Sequence, residues 1–456
     1  MTTTDDAPTQ GLPTEWMRLH PLSPVVRGAR LLFALAIVVL PRQFTPGHRS
    51  QPWVDIIALF VALAAGIVSW LVTRWRIHNG ELQVETGLIR RDSVRVPLTR
   101  LQAVDIVRPF AGRVLGLAEV RVVVAGHGSS TARLTYVTDE QATLIRARLL
   151  ALAHGLAVDT PAPAEAPVLA VSGGRIAASQ ALGAPAVIVA LVLAVVVVLA
   201  ALAPAAATAS AVSFGFAVCF VVVSGAVRRA SAEWEFRLSA APDGLRLSAG
   251  LLQTRAETIP FGRVQAVRWV QPVLWRMFGW VRLEVDLARR HGRDRASRET
   301  AATTRALLPV GSPAEAARLL ALVLPGASVT LPPQVLASAR APRRARWRAP
   351  FARHFLRAWH DDHYMVCGSG RLRPEFVVVP LQKAQSIRWS QGPVQRWLNL
   401  ADVFVDSAGV HFPGRARMRD AAEAQQWAGL LPDIARSARG GTPLPASDTG
   451  GAVGLA

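Results

Sequence analysis

Arginine supplies most of the chemistry-bearing side chains in this 456-residue sequence, and its acidic counterparts are too few to pair with it. There are 51 Lys and Arg against 31 Asp and Glu, a formal net charge of +20, and Lys383 is the one lysine. Unpaired guanidinium groups do little acid–base work; they bind polyanions, bidentately where geometry permits. Two clusters stand out. Arg289 to Arg305 reads RRHGRDRASRETAATTR and offers Arg289, Arg290, Arg293 and Arg295. Arg340 to Arg357 reads RAPRRARWRAPFARHFLR, where seven arginines, among them Arg343, Arg344, Arg346 and Arg348, mix with Trp347, Phe351, Phe355 and Leu356. Each reads as a solvated segment or as a contact for anionic lipid headgroups or an acidic partner. Pro342 and Pro350 argue against one continuous helix in the second.

Other reactive groups do not converge. His360, Asp361, Asp362 and His363 have metal-ligand chemistry, but they sit where a turn and strand entry are expected, so no metal is assigned. Cys219 lies in an apolar run and Cys367 near a turn, which suggests neither a disulfide nor a zinc site. G-x-S-x-G, G-x-x-x-x-G-K-[ST] and H-E-x-x-H are all missing. The reading is therefore a non-enzyme with no cofactor. Nucleic acid is not expected as a partner, since charge alone speaks for it and no base-stacking aromatic motif accompanies the charge.

What must position these groups is a unit written three times. A glycine is followed ten residues later by a proline in Gly87 and Pro97, Gly250 and Pro260, and Gly370 and Pro380. Each proline is followed at fixed spacing by a glutamine (Gln102, Gln265, Gln385) and an arginine (Arg113, Arg276, Arg396), then a turn residue, Gly116, Gly279 or Asn399. Such self-similarity decides the architecture before any local pattern does. Within a copy, Val94, Val96 and Leu98, and later Val120, Val122 and Val124, alternate as half-buried strands do. Thr138 with Gln141, Ser312 with Glu315 and Asp420 with Glu423 have capping-box spacing, and Pro313 suits a first helical turn. Each unit should be several antiparallel strands closed by one helix. The constant glutamines and arginines are then mostly fold-building, with the arginines also able to face lipid phosphate.

The quoted segments VPLTRLQAV with RVLGLAEVRV, IPFGRVQAV with RMFGWVRLEV, and VPLQKAQSI with RWLNLADVFV resemble the bacterial pleckstrin-homology (PH) domain of the YdbS/YdbT type. The resemblance runs from Leu19 to about Leu431 and includes the membrane hairpins of YdbT-like proteins. It implies a curved antiparallel sandwich capped by a C-terminal helix. Relatives often carry a third hairpin before the last domain; here the repeat spacing shortens from 163 positions (Gly87 to Gly250) to 120 (Gly250 to Gly370), and the arginine-rich stretch stands in its place.

Hydropathy supplies the rest. Trp53 to Val72, Leu182 to Ala203 and Ala207 to Val227 are long enough to cross a bilayer, and the shorter Leu31 to Leu40 completes a first hairpin. Two spans separate the first two repeats and none separates the last two, so all three share one side. Arg74, Arg76, Arg90, Arg91, Arg228 and Arg229 make that side cytoplasmic. The expected layout is a cytoplasmic tail 1–22, hairpin 23–73, PH-like domain 74–154, linker 155–181, hairpin 182–229, PH-like domain 230–325, basic linker 326–357, PH-like domain 358–432 and disordered tail 433–456. The fold class is membrane α-helical hairpins with three mainly-β, PH-like α+β domains. The expected function is a multi-pass cell-membrane scaffold. Its partners would be anionic headgroups or a protein, such as a related single-PH membrane protein. A role in envelope stress or defence fits, though no residue specifies it. A small transporter or accessory subunit is the alternative, and it would need inward polar pairs that the spans scarcely carry.

Overall fold

The computed structural model describes residues 74–78, 81–86, 92–97, 101–124, 132–153, 166–202, 204–241, 244–288, 306–324, 340–409 and 411–440. It also describes Trp16–Arg18, Pro21, Thr73 and scattered positions from 53 to 72. The chain divides into two compact units, one chiefly Met1–Ala170 with Trp234–Thr258, the other Val171–Glu233, Ile259–His291 and Arg295–Ala456.

The first unit contains repeat one entire. Strands β1 (Met17–Arg18), β2 (Arg74–His78), β3 (Glu81–Thr86) and β4 (Asp92–Pro97) form one antiparallel sheet in that order. Strands β5 (Leu101–Arg108), β6 (Leu117–Val124) and β7 (Ala132–Thr138) belong to a second, with a short helix α1 (Phe110–Val114) between β5 and β6. Helix α2 (Asp139–Ala153) closes the repeat. Period-two alternation puts Leu82 and Val84, Val104 and Ile106, and Val120 and Val122 into one core, and α2 adds Ala142, Ile145 and Leu149 at helical spacing. Burying each of these Val, Leu and Ile side chains contributes about 1.5–3 kcal/mol. The second sheet does not stop at β5. Strands β8 (Ala166–Val171), β9 (Phe236–Ala241), β10 (Gly244–Ala249) and β11 (Thr254–Ile259) extend it, giving the order β7-β6-β5-β11-β10-β9-β8. Three of these strands open repeat two, so the first sheet of repeat two grows from the open edge of repeat one.

The second unit repeats the device. Helices α3 (Gly173–Ala181), α4 (Ala184–Leu202) and α5 (Ala205–Glu233) precede strand β12 (Val264–Val270), helix α6 (Val273–Arg276), strands β13 (Val281–Leu287) and β14 (Ala306–Gly311), and helix α7 (Pro313–Val323). The Ser312 hydroxyl accepts from the Glu315 N–H at 3.2 Å, the Glu315 carboxylate accepts from the Ser312 N–H at 2.6 Å, and Pro313 occupies the first turn of α7, as the spacing foretells. Repeat three supplies β15 (Arg357–His360), β16 (Tyr364–Ser369) and β17 (Glu375–Pro380), and these extend the sheet as β14-β13-β12-β17-β16-β15. Its second sheet is β18 (Ala384–Ser390), β19 (Leu400–Ser407) and β20 (Gly414–Asp420), with helix α8 (Pro393–Trp397) between the first two and α9 (Ala421–Gly440) closing. Met365, Cys367 and Val379 from one sheet pack with Ala401, Val403 and Val405 from the other and with Ala424, Trp427 and Leu431 of α9.

Several expectations change. Residues 155–181, read as a linker, contain β8 and α3. The end of the basic segment 326–357 is folded: 3-10 turns at Arg343–Trp347 and Arg353–Phe355 seat Ala341, Ala345 and Leu356 against Leu398, Leu400 and Met418. Apolar residues spaced among the arginines drive this, and composition masks them. The stretch after Asp433, read as disordered, continues α9 to Gly440 despite Pro432, with Ile434 and Ala435 buried. At α9 the capping box is incomplete: Asp420 accepts from the Ala422 N–H at 3.1 Å, while Glu423 pairs with Arg419. The run Leu31 to Leu40 lies outside the described residues, and the described positions from 53 to 72 are helical.

Candidate interaction site

The three repeats present the same exposed tip. Each short helix α1, α6 and α8 joins two strands, and each connection is completed by a residue in the left-handed region, Gly116 (φ 68°), Gly279 (φ 62°) or Asn399 (φ 51°). Asparagine tolerates that conformation better than most residues, so Asn399 can stand where the others use glycine. One side of each tip is anchored: Gly112 and Trp275 are buried, and Gln395 accepts from the Gly392 N–H at 2.8 Å and donates to Asp402 at 3.0 Å. The other side projects. Val114 is 72% exposed, Met277 81% and Trp397 81%, and each follows an exposed arginine, Arg113, Arg276 or Arg396. A large apolar group beside a guanidinium suits a surface that is apolar inside and anionic outside. The constant arginines are visible in the sequence. The apolar residue after each of them is the missed signal, because a core contact and an exposed knob look alike in a sequence.

Neighbouring turns enlarge two of the tips. An Arg113 Nη1–H donates to the Leu251 carbonyl at 3.2 Å, and the Val273 N–H donates to the Leu372 carbonyl at 3.1 Å, which brings exposed leucines of the next repeat alongside. These turns need glycine. Gly250 (φ 125°) and Gly370 (φ 90°) would place a Cβ 2.0 and 2.1 Å from the carbonyls of Gln253 and Arg373.

The tip of repeat two is fastened to the apolar helices. Gly173–Leu202 and Ala207–Glu233 are long and apolar enough to cross a membrane. The Trp275 Nε1–H donates to the Ser179 carbonyl at 3.1 Å, tying α6 to the helix that leads into α4. At the end of α5, buried Glu233 holds Arg282, with Oε2 3.0 Å from Nη1, while Glu284 accepts from the same guanidinium at 2.7 Å. Burial disfavours the Arg282 charge, but Glu233 and Glu284 outweigh it and hold its pKa above the ordinary guanidinium value. Burial likewise opposes ionisation of Glu284, and Arg282 and Arg268 outweigh it, keeping that carboxyl below the usual range. Arg175 and Glu315 add a pair at 3.6 Å.

The arginine clusters divide. Arg343, Arg346 and Arg348 are exposed beside exposed Trp347 and Phe351, with Arg346 over the Trp347 ring at 5.3 Å. Arg344 instead turns inward to Asp420 and donates to the Asn399 carbonyl at 3.1 Å, so it holds repeat three together. Arg289, Arg290, Arg293 and Arg295 lie outside the described residues. Asp361 accepts from the N–H groups of His363, at 2.8 Å, and Tyr364, which is turn chemistry. Burial pushes the Cys367 thiol up to about 12, making it unreactive. Gln265 is buried and donates to the Arg263 carbonyl at 3.4 Å, within its own repeat, whereas Gln385 is exposed; Gly87 and the Gln102 side chain lie outside the described residues. Pro97, Pro260 and Pro380 close strands β4, β11 and β17 or follow them directly, as a residue without an N–H suits a strand end.

The family model described as bacterial PH domain matches residues 28–153, 179–325 and 313–433. No curated protein and no solved structure matches the chain.

Proposed function

Because this chain belongs to the bacterial PH domain family, through three successive matches, we propose that it is a non-catalytic membrane scaffold whose tips rest on anionic lipid headgroups. PH domains are generally interaction modules, and repetition multiplies weak contacts into stable attachment. The observation that carries the reading is the bond from Trp275 to Ser179. It keeps Met277 and Arg276 close to the start of an apolar helix of spanning length, where headgroups would lie. Cytoplasmic placement of the repeats follows from the arginines that flank the apolar runs. The exposed approach of Arg343, Arg346, Trp347, Arg348 and Phe351 would give repeat three its own contact in place of a hairpin. The surfaces left free by lipid would serve a protein partner, with a related single-PH membrane protein as the first candidate and envelope stress or defence as the setting.

The reading is tested on the full chain in vesicles. Met277→Cys and Trp397→Cys are made in a background with Cys219 and Cys367 replaced by alanine, and each carries a polarity-sensitive dye. Emission should shift to the blue in vesicles containing phosphatidylglycerol relative to phosphatidylcholine alone, and the shift at Trp397→Cys should fade at high salt. Identical, water-like emission at both positions in both lipids removes the lipid-facing role.

A further inference from the structure

The two joints between repeats have one register. In the first, Arg255 lies opposite Val107 and Ala256 opposite Ile106. In the second, Glu375 lies opposite Val270 and Phe376 opposite Trp269. Counting from the repeated glycines and prolines, these are the same positions, so the strand after the proline of one repeat always receives the strand before the proline of the next. Among the described residues the series leaves two ends. Strand β18 is the edge of its sheet and β4 is the edge of its own. Gln385, Ser386, Arg388, Trp389 and Ser390 on β18 are exposed, whereas Gln265 and Ala266, at the corresponding positions of β12, are buried. Ser93 and Arg95 on β4 are exposed as well.

We propose that β18 of one molecule pairs antiparallel with β4 of a second copy, in the register of the internal joints. That register sets Trp389 opposite Ser93, Ser390 opposite Asp92 and Arg388 opposite Val94. It also repeats a charge pairing. Arg268 and Glu375 form an ion pair across the second joint at 3.7 Å, and their counterparts at the free ends are Arg388 and Asp92. A second copy carries the matching strand, in the matching register, with the matching charge, which a foreign strand need not. An exposed strand edge is a ready template for such pairing, and because its two surfaces differ, the contact is head to tail and produces rings or open chains rather than a symmetric dimer.

Two differently tagged full-length chains lacking native cysteines test this, one with Ser93→Cys and one with Trp389→Cys, mixed in detergent and treated with a short bis-maleimide. A product at twice the mass of 48.9 kDa carrying both tags is expected, with neither chain forming a product alone. Adding Arg388→Asp to the second chain should cut the yield about tenfold, and Asp92→Arg on the first should restore it. Absence of the doubly tagged product from folded chains overturns the proposal, as does a Trp389→Cys product formed without Ser93→Cys. Unmodified protein is weighed in parallel by light scattering. Multimers that grow with concentration support the pairing, and a constant single-chain mass rejects it even if the cysteine variants misfold.

Discussion

His360 ends β15 with its ring edge-on to Trp427, centroids 4.9 Å apart. Burial lowers its pKa from the ordinary imidazole value of 6.5, outweighing the hydrogen bond and charge of Asp361 and the charges of Asp362 and Glu423. The neutral ring is the form the fold accepts. As pH falls below about 6.5 the unfolded chain takes up this proton while the folded chain does not, so the folded state is disfavoured increasingly until its own lower pKa is reached. Above that window the site costs nothing. Hydrogen exchange in β15 and β16, corrected for intrinsic rates, should therefore show protection falling between pH 7 and 5, and His360→Phe should flatten the fall; equal slopes in both proteins would refute the assignment. Arg344 teaches the complementary lesson. Within RAPRRARWRAP it is indistinguishable from Arg343 and Arg346, and only the nearby Asp420 and Asn399 carbonyl make it a packing residue.

At the scale of elements, the turn from β10 to β11 and the tips make separate demands on glycine. Gly250 combines φ 125° with a carbonyl 2.0 Å from where a Cβ would stand. Gly116 has φ 68° and open space around it. Gly250→Ala should then cost about 1–3 kcal/mol of stability. Gly116→Ala should cost no more than about 1–2 kcal/mol. Asn399→Gly should be neutral or mildly stabilising. Thermal unfolding of the three proteins in one detergent ranks them, and Gly116→Ala emerging as the worst would contradict the geometry. In the second and third repeats the Gly-x₉-Pro spacing is thus a record of a tight turn and a strand end. It was legible because backbone constraints of this kind tolerate few residue types. The exposed tip was less so, since Met277 and Trp397 have the composition of core residues and the projection of surface ones.

For the whole molecule, the apolar helices α4 and α5 should form a hairpin with its short connection on the outer face and all repeats within. A single cysteine at Pro204→Cys should react with an impermeant maleimide in intact cells, while Arg373→Cys should react only after permeabilisation. Reaction of both, or neither, in intact cells would reverse or abolish the topology. The three matches to the bacterial PH domain account for most of the chain, and its two structural units cut across them. The two sheets of repeat two fall one in each unit, because every internal joint is a continuous ladder rather than a linker.

The repeat, its strands, its closing helices and the apolar runs that form α4 and α5 were determined by the sequence alone, because periodicity, turn residues and hydrophobic length are local quantities. The joining of repeats through β5 with β11 and β12 with β17 was decided only by the tertiary structure. Edge pairing is made by backbone groups, which every residue but proline carries alike, so no side-chain pattern announces it. Folding likewise separates the four described candidate arginines: their charge is written in the chain, but only the fold leaves Arg343, Arg346 and Arg348 to solvent and sets Asp420 beside Arg344.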